Sequence, residues 1–390
     1  MKDSTFVNHP PTVAVPPDNR PLVAPIYQSV KFTFDSVAEV ERMLHGEREG
    51  FWYSRQSNPT LRQLELTLAK LQGREACILT ASGVAAVNLA MLSLCKQGDH
   101  VICFAEMYAP TRFMIRKIMA RYGVTYTVLS IEDLDALERV LASTPTRLIV
   151  FESPTNPALK VADMPRLTAL AAQYGALTVM DNTLAGFHNH GRFAVDVFVH
   201  SLTKYASGHG DVMAGAVIAN RRLADGMRRE LGILGATLEP HAASLLQRGM
   251  KTYFLRYAQQ CANALQVARF LEAHDKITSV RYPGLASHPQ HRLAGGQMRD
   301  FGTMVTFELN AHPKQIERFA ESLRLFTLSA SLGSTESLIL TPSLLWPRDL
   351  SDEQHKWSAI TDRTVRLSIG IEDGDDLSND LRQALAAAFE

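Results

Sequence analysis

Lys204 and Asp181 are the residues whose types and spacing point most directly to chemistry. The run Val195-Asp196-Val197-Phe198-Val199-His200 is apolar and β-branched, which marks a buried strand. It leads into Ser201-Leu202-Thr203-Lys204-Tyr205-Ala206-Ser207-Gly208-His209. A lysine delivered at a strand end into a hydroxyl-rich turn is desolvated toward its neutral amine, which can hold an aldehyde as a Schiff base. Asp181 closes the apolar run before it, Leu177–Met180, and lies 23 residues ahead of Lys204. Ligands of open α/β sheets collect at the carboxyl ends of strands, so both side chains can face one crevice. A carboxylate on a pyridinium nitrogen, opposite a lysine that binds the aldehyde, is what pyridoxal 5'-phosphate needs to act as an electron sink.

Other strand ends supply the remaining parts. Ser201 and Thr203 offer hydroxyls to a phosphate ester beside Lys204. Ser82-Gly83-Val84 follows an apolar run and opens a helix, and the free N–H groups of Gly83 and Val84 suit a phosphate. Tyr108 can stack on a flat ring and donate its phenolic proton. Asn156 stands between Pro154 and Pro157, which fix its direction. Each alone also has an ordinary structural reading, as a cap, a turn or a packing residue. Their conjunction is the specific signal.

The elements that position these residues follow from the pattern of the chain. Seven short apolar runs alternate with helical spacers: Ala76–Leu79, His100–Phe104, Val124–Leu129, Arg147–Phe151, Leu177–Met180, Val195–His200 and Ala216–Ala219. Near-continuous hydrophobicity with helical connections predicts an α/β fold with a mostly parallel sheet covered on both faces. After Gly249 a long helix around Leu255–His274 precedes strands at Ile277–Tyr282, Thr303–Leu309 and Arg363–Ile369. A closing helix at Leu377–Phe389 completes a smaller C-terminal α+β domain. The prolines at 10, 11, 16, 17, 21 and 25 mark an irregular N-terminal arm that cannot make its own core. The expected division is an arm over 1–55, wrapping a neighbouring subunit, a large cofactor domain over 56–248, and a C-terminal domain over 249–390.

Composition narrows the classes. Lys+Arg and Asp+Glu each number 40, a formal net charge of zero with no basic block, so neither nucleic acid nor an anionic membrane is an expected partner. Ala76 to Cys95 is uncharged, but Thr80-Ala81-Ser82-Gly83 interrupts it, which reads as strand, turn and helix rather than a span. The four cysteines form no CxxC pair and sit in apolar stretches, as expected of reduced thiols in a cytoplasmic protein. No His/Cys cluster has metal-ligand spacing, so no metal is expected. No GxGxxG follows a strand, which argues against a nucleotide-dependent dehydrogenase.

Many segments in order carry a family resemblance. They are Tyr53-Ser54-Arg55, Asn58-Pro59-Thr60, Ser82-Gly83, Glu152-Ser153-Pro154-Thr155-Asn156-Pro157, Asp181-Asn182-Thr183 and Ser201-Leu202-Thr203-Lys204-Tyr205 through Gly208-His209. Arg248-Gly249-Met250-Lys251-Thr252, Tyr282-Pro283-Gly284-Leu285, Ser331-Leu332-Gly333, Glu336-Ser337-Leu338 and Val365-Arg366-Leu367-Ser368-Ile369-Gly370-Ile371-Glu372-Asp373 complete the set. From Pro25 to the last helix the chain resembles the Cys/Met-metabolism family of pyridoxal-phosphate enzymes. That family includes cystathionine γ-synthase, cystathionine γ- and β-lyases, methionine γ-lyase and O-acylhomoserine sulfhydrylases. The resemblance implies the PLP-dependent transferase fold of type I. It assigns Lys204 to the cofactor aldehyde and to proton transfer, and Asp181 to the pyridine nitrogen. Tyr108 would lie on the ring, with Ser201, Thr203, Gly83 and Val84 at the phosphate. Tyr53 and Arg55 would reach the cofactor from the neighbouring subunit, which implies an active site shared between two subunits and a homotetramer. Arg366 would clamp the substrate α-carboxylate, helped by Asn156 and Ser331.

The implied reaction is γ-elimination on a γ-substituted 2-aminobutyrate such as methionine, homocysteine, cystathionine or an O-substituted homoserine analogue, releasing a 2-oxo acid and ammonia. Alternatives are γ-replacement, cystathionine β-elimination and, more distantly, a PLP-binding protein without turnover. Tyr108 is the candidate acid for the leaving group. Departures from the family pattern bear on substrate. Ala330 stands where γ-acting cystathionine enzymes carry Glu, and Pro110 where methionine γ-lyases carry Cys. Pro342-Ser343-Leu344-Leu345-Trp346-Pro347 replaces the usual Pro-x-x-Met-Thr-His. Trp346 and His241 are either pocket-shaping or packing residues.

Overall fold

A computed structural model describes residues 18–390; residues 1–17 of the expected arm lie outside the described residues. Strands β1 (Ala76–Thr80), β2 (His100–Phe104), β3 (Thr125–Leu129), β4 (Leu148–Glu152), β5 (Leu177–Asp181), β6 (Val197–Ser201) and β7 (Gly215–Ala219) form one sheet in the order β1-β7-β6-β5-β4-β2-β3. All neighbouring pairs are parallel except those of β7, which runs antiparallel to both β1 and β6. The side-chain period of two explains why the runs lack polar alternation. Phe104, Phe151, Met180 and Phe198 point into one buried layer, whereas Val101, Cys103, Val150, Val179, Val197 and Val199 point into the other. Burying a side chain of that size stabilises by about 1.5–3 kcal/mol, so both faces hold the strand ends rigid.

Helix boundaries follow local chemistry. In the helix Pro59–Gln72, Asn58 accepts the Thr60 N–H as N-cap, Pro59 takes the first turn, and Gly73 closes the end in the left-handed region. Its Leu61, Leu64 and Leu68 are buried against the sheet. His200 is a polar intruder in the apolar layer. It is satisfied by Gln72 Oε1 at 2.7 Å and stacks on Phe187, and burial pushes its pKa down to about 3, so the ring is neutral.

A second sheet, in the order β10-β11-β12-β9-β8, contains β8 (Ile277–Arg281), β9 (Met304–Leu309), β10 (Thr327–Leu328), β11 (Leu338–Leu340) and β12 (Thr364–Ser368). It has its own core, where Val305, Phe307, Val365 and Leu367 meet the helices Tyr253–Glu272 and Gly374–Phe389. Alternation along β12 then turns Arg366 away from that core, toward the large sheet.

Two features differ from the sequence reading. The edge strands β10 and β11, of two and three residues, were not anticipated because they are too short to show a period. The arm is not irregular throughout. Val37–Leu44 is a helix capped by Ser36, which accepts the Glu39 N–H, and it buries no residue within this chain. Among the described residues no helix is long and apolar enough to cross a membrane, and no group of three His, Cys, Asp or Glu is placed to hold a metal ion. Ala76–Cys95 resolves into β1 and the helix Gly83–Leu94.

Candidate active site

The carboxyl ends of β4, β5 and β6 lie side by side, and register places Glu152 beside Asp181. Asp181 is oriented by a local turn in which Thr183 donates both its N–H (3.0 Å) and its hydroxyl (2.6 Å) to Oδ1. This Asx-type bond two residues on leaves Oδ2 unengaged among the described residues. Burial raises the Asp181 pKa, while the Thr183 bonds and the Lys204 charge pull it down.

Lys204 follows β6 in a turn whose backbone folds back, with the Lys204 N–H donating to Ser201 and the Gly208 N–H to Lys204. Its Nζ donates to Ser331 Oγ at 2.7 Å. Burial, with the nearby Arg366 charge, pushes its pKa down to about 8, against the opposing pull of Asp181. Arg366 continues the chain of contacts: Nη2 donates to the Ser331 carbonyl (2.7 Å) and Nη1 to Asn156 Oδ1 (3.2 Å). Its Nε–H is buried without a partner, and burial pushes its pKa down to about 10. Lys204, Ser331, Arg366 and Asn156 are thus brought together from four separate segments.

Tyr108 begins the helix Ala109–Phe113 and leaves its ring free, while its backbone N–H donates to Glu152 Oε2 at 3.0 Å. Burial raises the phenol pKa, and the charges of Asp181 and Glu152 raise it further, so the side chain is protonated at neutral pH. Glu152 was not singled out from sequence, yet its two oxygens fix two site loops. Oε2 takes the Tyr108 N–H, and Oε1 takes the Asn156 N–H at 2.5 Å. Burial and the neighbouring Asp181 push its pKa up to about 8. Thr183 was likewise missed, although the Asp-x-Thr spacing signals such a turn.

At the other side of Lys204, Ser82 caps the helix Gly83–Leu94 by accepting the Ala85 N–H at 3.1 Å, and its carbonyl takes the Ala86 N–H. The N–H groups of Gly83 and Val84 remain uncommitted among the described residues, as a helix start dictates. A Cβ on Gly83 would lie 2.8 Å from Ser201 Oγ, so glycine is what lets the hydroxyl and the helix end share one cradle. Thr203 departs from expectation: its Oγ1 donates to the Ala214 carbonyl and accepts the Ala214 N–H, so its hydroxyl hydrogen is already engaged. The free donors, the unengaged Asp181 oxygen and the depressed lysine together fit an anionic phosphate, a ring nitrogen and an aldehyde.

Tyr108, Asn156 and Arg366 line one cavity of about 1010 Å³, with Trp346 in its far wall. Asn88, whose buried Oδ1 has no partner, also faces it. Tyr53 and Arg55 do not line it. Arg55 stacks over Tyr53 and donates to the Gly232 carbonyl. His241 is exposed at the start of the helix Pro240–Met250 and does not line it either.

Residues 12–386 match the model of the Cys/Met metabolism PLP-dependent enzymes. The chain is 40% identical over 372 residues to the L-methionine gamma-lyase of Pseudomonas putida, covering 94% of this chain and 93% of that one. It is 36% identical over 395 residues to a chloroplastic cystathionine gamma-synthase of Nicotiana tabacum, covering 99% and 73%. A solved putative O-acetylhomoserine (thiol)-lyase from Campylobacter jejuni, containing N'-pyridoxyl-lysine-5'-monophosphate, superposes with a TM-score of 0.87 at 32% identity, over 94% of this chain and 96% of that one.

Proposed function

Given that the chain belongs to the Cys/Met-metabolism PLP-dependent enzymes, we propose that it catalyses γ-elimination on a γ-substituted 2-aminobutyrate, releasing 2-oxobutyrate and ammonia. Its fold is the type I fold of pyridoxal-phosphate enzymes and its cofactor is pyridoxal 5'-phosphate. The observation that carries the γ reading is a cavity of about 1010 Å³ in which Arg366, Asn156, Tyr108 and Trp346 share one lining. A space of that volume beside the Arg366–Asn156 pair has room for a substituent beyond the β carbon. The 40% identity to a methionine γ-lyase supports the same reading.

When bound, the cofactor draws electrons from the substrate Cα, so that the protons on Cα and then Cβ become removable. Arg366 takes the α-carboxylate through its fork of donors, with Asn156 beside it, and so fixes which bond at Cα faces Lys204. Lys204, with its pKa lowered to about 8, reaches its neutral form at far lower pH than an exposed lysine and in that form can take the proton from Cα and from Cβ. Ser331 holds Nζ within reach of the clamp. Tyr108, kept protonated, donates its phenolic proton to the departing sulfur or oxygen. Asp181 offers Oδ2 to the ring nitrogen, and Gly83, Val84 and Ser201 hold the phosphate. Thr203 joins them if its hydroxyl turns from Ala214.

The reading includes the three-part division at residues 55 and 248, which the separate hydrophobic cores of the two sheets support. It also includes a homotetramer in which Tyr53 and Arg55 complete a neighbour's site. Their absence from the lining of their own chain's cavity supports this, as do the exposed Leu22, Val23, Ile26 and Val30 of the arm. Buried free Cys77 and Cys103 support a reducing, cytoplasmic setting. The test is a panel of purified amino acids assayed for 2-oxobutyrate against pyruvate, with and without an added thiol. Release of 2-oxobutyrate without a thiol is expected. Pyruvate alone, or product only with a thiol, would transfer the assignment to β-elimination or γ-replacement.

A further inference from the structure

One wall of the cavity is built by residues to which the reading above gives no role in the reaction. Leu344, Leu345, Trp346 and Pro347 follow β11 and line the same cavity as Tyr108 and Phe113. Tyr108, Phe113, Leu344 and Trp346 are among the large apolar side chains that this chain leaves exposed, at 43%, 51%, 59% and 44%. Clustered beside a carboxylate clamp, such side chains mark a ligand surface.

One ion pair ties this wall to the catalytic side. Arg112, on the helix that Tyr108 begins, is 3% exposed and grips Asp349 through Nε (3.0 Å) and Nη2 (2.7 Å). Arg116 adds bonds to the Asp349 carbonyl (2.5 Å) and carboxylate (3.4 Å). Arg112 also donates to the carbonyls of Ala105 and Met107, so the strut is continuous with the backbone under Tyr108. Among the described residues of this chain, the carboxylates that line the cavity are Asp349 and Glu106. Glu106 is buried and spent on Ser130 Oγ, the Ile131 N–H and Lys160. Neither is free to receive a substrate ammonium, and desolvating an unpaired ammonium against apolar side chains is costly. Lys117 and Arg348 at the rim are exposed and add positive charge.

We infer that the distal pocket takes an uncharged, apolar γ-substituent, and that Asp349 is a positioning residue that holds its wall against the Tyr108 helix. The inference rests on the assignment of Arg366 and Asn156 to the α-carboxylate, and deepens the proposed function by naming the substrate class. Its test is calorimetric binding of amino acids without a leaving group to the holoenzyme, which is independent of turnover. Norleucine and ornithine have the same length and differ by a methyl against an ammonium. Norleucine is expected to bind at least about tenfold more tightly than ornithine. Asp349→Ala is expected to weaken norleucine by about tenfold while alanine, too short to reach the wall, changes by less than about twofold. Leu344→Asp, on the exposed wall, is expected to move the ratio toward ornithine by about tenfold.

Equal loss for alanine and norleucine in Asp349→Ala would reduce Asp349 to a general structural role and overturn its part. Ornithine binding as tightly as norleucine to the unaltered protein, or aminoadipate binding more tightly than either, would overturn the substrate class even if the variants do not fold. Failure of γ-elimination would show separately, as absence of 2-oxobutyrate in an enzyme that still ranks these ligands.

Discussion

The strand ends that carry Lys204 and Asp181 and the cavity wall around Trp346 are held by different kinds of structure. Around Lys204 and Asp181 the side chains stand at strand ends whose neighbours are buried on both faces; Asp181 is fixed by Thr183 two residues on, and of the two only Lys204 reaches across the chain, to Ser331. Around Trp346 the wall is a short helix, Pro342–Leu345, and a loop, held across 237 residues of chain by the Arg112–Asp349 pair. The first arrangement is hard to alter without losing the sheet, which suits a chemical step common to all substrates. The second can change sequence at little cost to the core, which suits the part that selects among substrates.

The contrast predicts that changes at the strand ends scale all substrates alike, whereas changes in the wall re-rank them. The largest effect belongs to Lys204→Ala. Loss of the residue proposed both to bind the aldehyde and to move the proton is expected to lower kcat by about 10⁴-fold or more for every substrate. A loss confined to some substrates would break the comparison. Asp181→Asn keeps the shape but removes a charged hydrogen bond of about 1.5–3 kcal/mol, a factor of roughly 10–150 in rate. Steady-state kinetics on two substrates of different size are expected to give the same factor. Gly83→Ala pushes a Cβ to 2.8 Å from Ser201 Oγ, and so disturbs the phosphate cradle. Equilibrium dialysis of apoenzyme with pyridoxal phosphate is expected to show about tenfold weaker retention, with substrate ranking unchanged.

The smallest effect is in pH. Burial and Arg366 depress the Lys204 pKa from 10.5 to about 8, so the neutral amine is reached at lower pH than for an exposed lysine. The rate at which apoenzyme captures pyridoxal phosphate is expected to rise with pH and to be half-maximal at about pH 8. A midpoint above pH 10 would mean that Lys204 is not desolvated.

The strand-end half was largely legible from the amino-acid sequence. Buried parallel strands write themselves as apolar runs, and the residues that end them, Asp181 and Lys204, are then placed by topology. The engagement of Thr203 with Ala214 was not legible, because it depends on how β7 returns beside the turn. The helix Val37–Leu44 was hidden by the proline-rich context before it. The wall was legible only as a departure from the family pattern at 342–347. Nothing local in Arg112 or Asp349 announces a partner so far along the chain. Pairing of that kind is decided by the packing of the C-terminal segment against the large sheet.

The most direct test of the central claim is to reduce the holoenzyme with borohydride and map the peptides by mass. The account predicts a pyridoxyl phosphate adduct on the peptide carrying Lys204, absent from Lys204→Arg. An adduct on another lysine, with Lys204 unlabelled, would contradict it.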